Sequence, residues 1–274
     1  MADKYLPSTL FISVVVLLYQ GIVNSNLSII SQFSHQHGND WSGPLSTALL
    51  FIGSGTCSLF NSYIGNHPYR CLLFLGSFGY IIFITMSLVS LKLAFSPLAI
   101  VLTMVGSLVA GIIASVLYNS EYNYQNCLAR IDHQEVKYFG ILLMFNQASY
   151  VSGNVLSALL IQPLGQFNYV LVMDMALLFI SLLFLLTKDP DPQDLSPEPE
   201  ELSESEAEEE AEDVDECLSW EPFRVCGYYA FTGIASAFIF NAISIIIYKT
   251  FESRMQSTEL NHFSFIIFAV EGVG

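Results

Sequence analysis

The chain has 274 residues, of which 53% are hydrophobic and only 12% are charged, and its mean hydropathy is +0.53. A composition this apolar excludes an ordinary soluble domain of the same length. The formal net charge of −16 does not belong to the chain as a whole. Residues 188–221 contain 16 acidic residues and one Lys, so they carry almost all of it.

The apolar residues fall into seven nearly continuous runs, each close to the ~20 residues that a helix needs to cross a bilayer. A helix satisfies its own backbone hydrogen bonds in lipid, so we predict seven transmembrane helices. The first run is too long for the apolar core of a signal peptide and is kept as a helix of the mature protein. In chain order the predicted spans are residues 9–30, 45–64, 71–91, 97–117, 139–161, 169–187 and 225–248.

An acidic linker divides the chain into three parts. Residues 1–187 form a six-helix half, residues 188–221 the linker, and residues 222–274 the start of a second half. The linker is rich in Pro, Ser and Glu, which predicts disorder because such a segment cannot bury enough apolar surface to offset its conformational entropy. Residues 263–274 supply only 12 positions for an eighth span, so we expect that span to be truncated.

The positions of the basic residues predict the orientation. With a cytosolic N-terminus, six Lys and Arg residues lie on the cytosolic side and three lie opposite, as the positive-inside rule requires. We therefore expect a multi-pass protein with its N-terminus and linker in the cytosol. The cytosolic set is Lys4, Arg70, Arg130, Lys137, Lys188 and Arg224, and the opposite set is Lys92, Lys249 and Arg254.

Polar residues inside the predicted spans are costly in lipid and should face a neighbouring helix or a water-filled cavity. They are Gln20 and Asn24 with Ser28 in the first span, Glu121 at the end of the fourth, Asn146, Gln147, Tyr150 and Asn154 in the fifth, and Asp174 in the sixth. Gln20 and Asn24 are four residues apart and so lie on one helical face. Asn146 and Asn154 are twice that interval apart and also share a face. Two interpretations stay open for the amides: hydrogen bonds between helices, or a path for a solute. The ionisable Asp174 favours a functional role.

Small residues recur at intervals of four in three spans, a pattern that lets helix backbones approach closely. The three sets are Ser54, Ser58 and Ser62; Gly106, Ala110 and Ala114; and Ser149, Gly153 and Ser157. We expect these faces to be packed against other helices.

Signatures of catalysis are absent from the sequence: it contains no P-loop, no zinc-protease motif, no nucleophile elbow and no dinucleotide fingerprint. We expect no enzymatic activity, no cofactor and no nucleic-acid partner. His35 and His37 near Asp40 have a spacing that a metal could use, but two histidines on a short polar loop are more often solvated. Asn26 begins a formal glycosylation acceptor, yet it lies inside the first span, so no glycan is expected there.

The fourth and fifth spans carry a specific resemblance. A Gly/Ala-rich helix is followed by the residues 138–154, which read Tyr-Phe-Gly-Ile-Leu-Leu-Met-Phe-Asn-Gln-Ala-Ser-Tyr-Val-Ser-Gly-Asn. This is similar to the Unc-ninety-three-like (ion channel regulatory protein-like) family of the major facilitator superfamily. The positions in register are Phe139, Gly140, Gln147, Ser149, Gly153 and Asn154. The seventh span, with Tyr229, Thr232 and Gly233, resembles the start of the family's second half.

Two features depart from that family. Tyr118 and Glu121 stand where it often has Trp and Gln, and the loop between the second and third helices retains only Arg70 of the usual facilitator motif. The resemblance implies an all-α bundle built of a major facilitator-type six-helix half, one further complete span and a truncated eighth. It implies transmembrane solute transport. The alternatives are a non-transporting adaptor that regulates or escorts a channel or receptor, and a non-functional truncated form.

The linker also carries a candidate regulatory site. Ser203 and Ser205 each have a Glu three positions downstream, the pattern that an acid-directed kinase selects. Phosphorylation would add about −1.5 to −2 charges per site and extend the segment further. The alternative is that the linker is a solvated spacer between the two halves.

Overall fold

The computed structural model describes residues 4–39, 41–58 and 68–190, and every regular element in these ranges is helical. The prediction of an all-α chain is confirmed for this part. The elements are α1 (Leu6–Gln36), α2 (Ser42–Ser58), α3 (Tyr69–Lys92), α4 (Pro97–Ile131), α5 (Glu135–Leu164) and α6 (Gln166–Leu183), followed by a 3-10 turn over Phe184–Leu186. Each of the first six predicted segments overlaps one helix. The predicted seventh span, the truncated eighth and the linker beyond residue 190 lie outside the described residues.

Four of these helices are long and apolar enough to cross a membrane: Leu6–Leu27, Tyr69–Lys92, Pro97–Ile131 and Gln166–Leu186. The chain is therefore suited to insertion in a bilayer through these four. Helix α2 has 17 residues, and α5 carries Asn146, Gln147 and Asn154 within its apolar run, so neither belongs to that group.

Helix α4 is longer than the apolar run that predicts it. It continues to Ile131, whereas the predicted span ends at residue 117. At 1.5 Å per residue its 35 residues extend about 52 Å, well beyond the roughly 30 Å of hydrocarbon. The helix therefore continues for ten residues beyond Glu121, and where the fourth span ends within it stays a prediction.

The surface of α4 is arranged in the opposite way to that of a soluble helix. Over residues 98–115 its exposed side consists of large apolar residues, and its buried side mainly of small and hydroxyl-bearing ones. A continuous exposed apolar surface of this kind is typical of contact with lipid. The exposed set includes Leu98, Val101, Leu102, Val105, Leu108, Val109 and Ile112.

The helix ends gather at the two ends of the bundle. At one end the backbone N–H of Tyr5 donates to Asp132 at 2.8 Å, and the Tyr124 hydroxyl donates to the carbonyl of Lys188 at 2.8 Å. These contacts unite the N-terminus, the α4–α5 connection and the exit of α6. At the other end the His37 ring lies 5.0 Å from that of Phe95, which joins the end of α1 to the α3–α4 turn. Successive helices thus run in opposite directions.

Two helix pairs cross at glycines. Helix α1 packs on α5, where a Cβ on Gly153 would lie 2.1 Å from the carbonyl oxygen of Gly21. Helix α2 packs on α4, where a Cβ on Gly111 would lie 2.0 Å from the carbonyl oxygen of Leu50. A Cβ on Gly53 would lie 2.4 Å from the carbonyl of Leu108. Only glycine permits backbones to approach this closely.

The predicted small-residue faces of α4 and α5 are packed. Ser149, Gly153 and Ser157 are all buried, on the side of α5 that meets α1. Ala110 and Ala114 are buried against α3, where a Cβ on Gly79 would meet the backbone of both. Gly106 faces Met86 of α3. Of the α2 set, Ser54 is half-buried, and the Ser58 side chain and Ser62 lie outside the described part.

The α1–α5 crossing predicts a contrast between two glycines of one helix. Gly153→Ala should destabilise the folded protein by roughly 1–3 kcal/mol, because its Cβ would overlap the backbone of α1. Gly140→Ala should be neutral or stabilising by up to about 1 kcal/mol, since nothing lies within 4 Å of that position. Thermal unfolding of the purified variants in detergent checks both. Equal melting temperatures for the two would contradict the crossing.

Candidate functional site

The predicted polar face of α1 lies inside the bundle. Gln20 is 4% exposed and Asn24 is 8% exposed. The Asn24 amide donates to the Ser149 hydroxyl of α5 at 3.1 Å, and the Tyr169 hydroxyl of α6 donates to Ser25 at 2.9 Å. At Asn24 this face therefore forms a hydrogen bond between helices, which is the first of the two interpretations given above for the buried amides. Asn26 is buried within α1 and donates to the carbonyl of Ile22.

The polar residues of α5 divide into two groups. Asn154 is buried, and its Oδ1 has no hydrogen-bond partner in the described ranges. Asn146 and Tyr150 are half-buried on the same side of the helix, whereas Gln147 is exposed. The structure thus places Asn146, Tyr150 and Asn154 towards the interior and leaves Gln147 outside it.

Asp174 forms a contact between α3 and α6. It is the ninth residue of the 18 in α6, so it lies in the middle of that helix and away from either end. Its Oδ2 accepts a hydrogen bond from the Thr85 hydroxyl at 2.9 Å, while its buried Oδ1 has no partner among residues 4–39, 41–58 and 68–190. One oxygen of this carboxylate therefore forms a hydrogen bond between helices, and the other forms none with the described residues.

Glu121 is 2% exposed within α4. None of the hydrogen bonds found in the described part of the chain reaches its carboxylate, and Tyr118 lies one turn earlier on the same helix. A buried ionised group is costly unless an opposite charge or a proton compensates it. Glu121 is consequently a buried acid without an ion-pair or hydrogen-bond partner among the described residues.

A group of tyrosines lies around Tyr118, and of these only Tyr118 and Tyr150 were candidates from the sequence. The hydroxyls of Tyr80 and Tyr118 are hydrogen-bonded to each other, and their rings are edge to face with centroids 6.1 Å apart. Tyr19 donates to the carbonyl of Ser77 and packs edge to face on Tyr80. Tyrosines within otherwise apolar runs are the only signal in the sequence that could have found this group.

No basic side chain of the described ranges enters the interior. All six lie in the first or last turn of a helix or outside the helices, so neither Glu121 nor Asp174 has an ion-pair partner there. Arg70 instead pairs with Asp189, directly after α6, at 3.5 Å. The six are Lys4, Arg70, Lys92, Arg130, Lys137 and Lys188.

Several other residues stand apart from the interior or lie outside the described part of the chain. His37 is exposed and its Nδ1 contacts the carbonyl oxygen of Phe33 at 2.8 Å. Cys71 is exposed and Cys127 is half-buried, and both are free thiols. The His35 side chain, Asp40, the kinase-like sites Ser203 and Ser205, and Cys217 and Cys226 fall outside what the structure describes.

No protein-family model, no curated protein and no solved structure matches this chain. Its functional interpretation consequently depends on its own residues and packing.

The Asp174 contact yields a prediction about stability. Thr85→Val should destabilise the protein by about 0.6–2 kcal/mol, the usual value of a polar contact between transmembrane helices. Thr85→Ser keeps the hydroxyl and should retain most of the stability. Melting temperatures of the two variants in the same detergent check this, and a Val variant as stable as the Ser variant would show that the hydrogen bond contributes nothing.

Proposed function

We propose that the chain is a membrane protein whose six described helices form one half of a major facilitator-type transporter, and that it takes part in transmembrane solute transport. The observation that carries the proposal is an internal symmetry of helix packing. If α1, α2 and α3 are exchanged for α4, α5 and α6, the main helix pairs are exchanged for one another.

The exchange holds for most of the main pairs. The α1–α5 contact becomes the α4–α2 contact of similar extent, α1–α2 becomes α4–α5, and the extensive α3–α4 contact becomes the much smaller α6–α1 contact. The minor α5–α6 and α1–α3 contacts have no counterpart of similar extent among the described helices. The pair α3–α6 becomes itself. The glycines follow the same rule, since Gly21 and Gly153 at the first crossing correspond to Gly111 and Gly53 at the second.

The two three-helix units also run in opposite directions, because α1 and α4 begin at opposite ends of the bundle. Inverted repeats of three helices within each six-helix half are the architecture of major facilitator transporters. The resemblance of residues 138–154 to the Unc-ninety-three-like family supports the same class. In such proteins solute sites lie near the bilayer midplane, the level at which Gln20, Tyr80 and Asp174 lie in their helices.

The basic residues support a cytosolic N-terminus. The end of the bundle that contains Tyr5 and Asp132 also carries Lys4, Arg70, Arg130, Lys137 and Lys188, while Lys92 is the one described basic residue at the other end. An excess of this size is what the positive-inside rule describes. We therefore propose that six crossings, including α2 and α5, place this end in the cytosol.

Cysteine labelling tests the orientation. In a variant without native cysteines, Gln134→Cys should react with an impermeant maleimide in sealed vesicles whose cytosolic face is outward. Trp41→Cys, at the opposite end of the bundle and exposed, should react only after detergent is added. Reaction of Trp41→Cys alone would reverse the orientation, and reaction of both without detergent would contradict a bundle with ends on opposite sides.

Solute uptake tests the transport proposal itself. Cells that express the full chain should accumulate or lose at least one small solute relative to cells with an empty vector, as measured by untargeted mass spectrometry. Tyr150→Leu should abolish the difference, because it removes a polar interior group, whereas Met144→Leu on the exposed side of the same helix should preserve it. Identical solute profiles at equal expression would contradict transport and favour the adaptor interpretation.

A further inference from the structure

Three phenol rings and one carboxylate meet in the interior from three helices. Tyr80 is the twelfth of the 24 residues of α3 and so lies at its midpoint. Tyr118 and Glu121 are three residues apart on α4, which places them on one face of that helix. Tyr150 comes from the interior side of α5. We call Tyr80, Tyr118, Tyr150, Glu121 and the adjoining Gln20 the tyrosine–glutamate cluster.

The rings of the cluster are held by their hydroxyls. Tyr80 and Tyr118 hydrogen-bond to each other with their rings edge to face. Tyr150 of α5 lies near both phenols, and Gln20 of α1 lies near Tyr118. Anchored hydroxyls fix ring orientation, and the negative part of each ring quadrupole lies on the ring faces.

The cluster contains a buried carboxyl group for which the described residues supply no countercharge. Glu121 is buried, accepts no hydrogen bond from the described residues and has no basic side chain beside it there. An acid so placed requires a positive partner or a proton. Tyr118 and Tyr150 are only half-buried, whereas Tyr80, Gln20 and Glu121 are buried. The rings of Tyr118 and Tyr150 are therefore the more accessible members of the cluster, and the carboxyl group of Glu121 lies deeper.

We propose that the tyrosine–glutamate cluster binds a small organic cation, a protonated or quaternary amine. The Glu121 carboxylate supplies the countercharge and the phenol faces supply cation–π contacts, the combination by which proteins recognise ammonium ligands. A hard metal ion is less suitable, because calcium or magnesium takes six or more oxygen ligands, and the cluster offers a carboxylate, an amide and anchored phenols. This inference deepens the proposed function by naming the class of solute, and in that sense rests on it.

Equilibrium binding of radiolabelled tetramethylammonium to the purified full chain tests the proposal. The wild type should bind it saturably at neutral pH, and sodium chloride at equal ionic strength should not compete fully. Glu121→Gln keeps the shape of the side chain and removes its charge, so affinity should fall at least about tenfold, or about 1.4 kcal/mol. Glu135→Gln is the matched control, because Glu135 is an exposed acid at the start of α5; it should bind as the wild type does.

A second pair of variants tests the rings. Tyr118→Leu should weaken binding several-fold, and Tyr118→Phe, which keeps the aromatic face, should remain within about twofold of the wild type. Size-exclusion profiles and melting temperatures establish that each variant is folded. Absence of saturable binding by folded wild type, or equal affinity of Glu121→Gln and wild type, would overturn the proposal and leave Glu121 as a protonated packing residue.

The binding experiment and the uptake experiment test different claims and can fail independently. Saturable binding without any uptake difference would retain the cation site and remove the transport proposal. Uptake of a solute by a protein that does not bind the ammonium probe would retain the transport proposal and remove the cation site.

Discussion

Close approach of helix backbones at glycines is the constraint on which the bundle depends. In hydrocarbon, lipid tails are as apolar as leucine side chains, so no hydrophobic drive brings helices together, and packing and polar contacts must hold them. Where α1 meets α5 and α2 meets α4, a single methyl group at Gly153 or Gly111 would overlap a backbone carbonyl. These two crossings set the distances at which all the interior polar groups meet.

The interior polar groups are of two kinds once those distances are set. Asn24, Ser149 and Thr85 have partners on neighbouring helices and hold the helices together. Glu121 and one oxygen each of Asp174 and Asn154 have none within the described ranges, although burying a polar group without a partner is unfavourable. Packing explains the first kind. The proposed cation site would supply a partner for Glu121 among the second kind.

The sequence predicts the helices better than it predicts their ends or their neighbours. Apolar runs locate α1 to α6 because a helix in hydrocarbon needs apolar side chains. They do not locate the end of α4, which continues to Ile131. Its last turns contain Tyr124, Gln125 and Leu128, which pack within protein. Period-four spacing correctly groups Asn146 with Asn154, and it also explains why the adjacent Gln147, turned by about 100°, is exposed. Gly53, Gly111 and Tyr80 could not be assigned a role, because that depends on which helices cross, and a single sequence does not contain this information.

Disulfide cross-linking of α1 to α5 tests the central claim most directly. In a variant without native cysteines, Asn24→Cys paired with Ser149→Cys should cross-link readily in membranes under mild oxidation, because the parent side chains are 3.1 Å apart. Asn24→Cys paired with Gly140→Cys, about 13 Å further along α5, should not. Failure of the first pair, or equal yields from both pairs, would contradict the crossing and with it the packing symmetry.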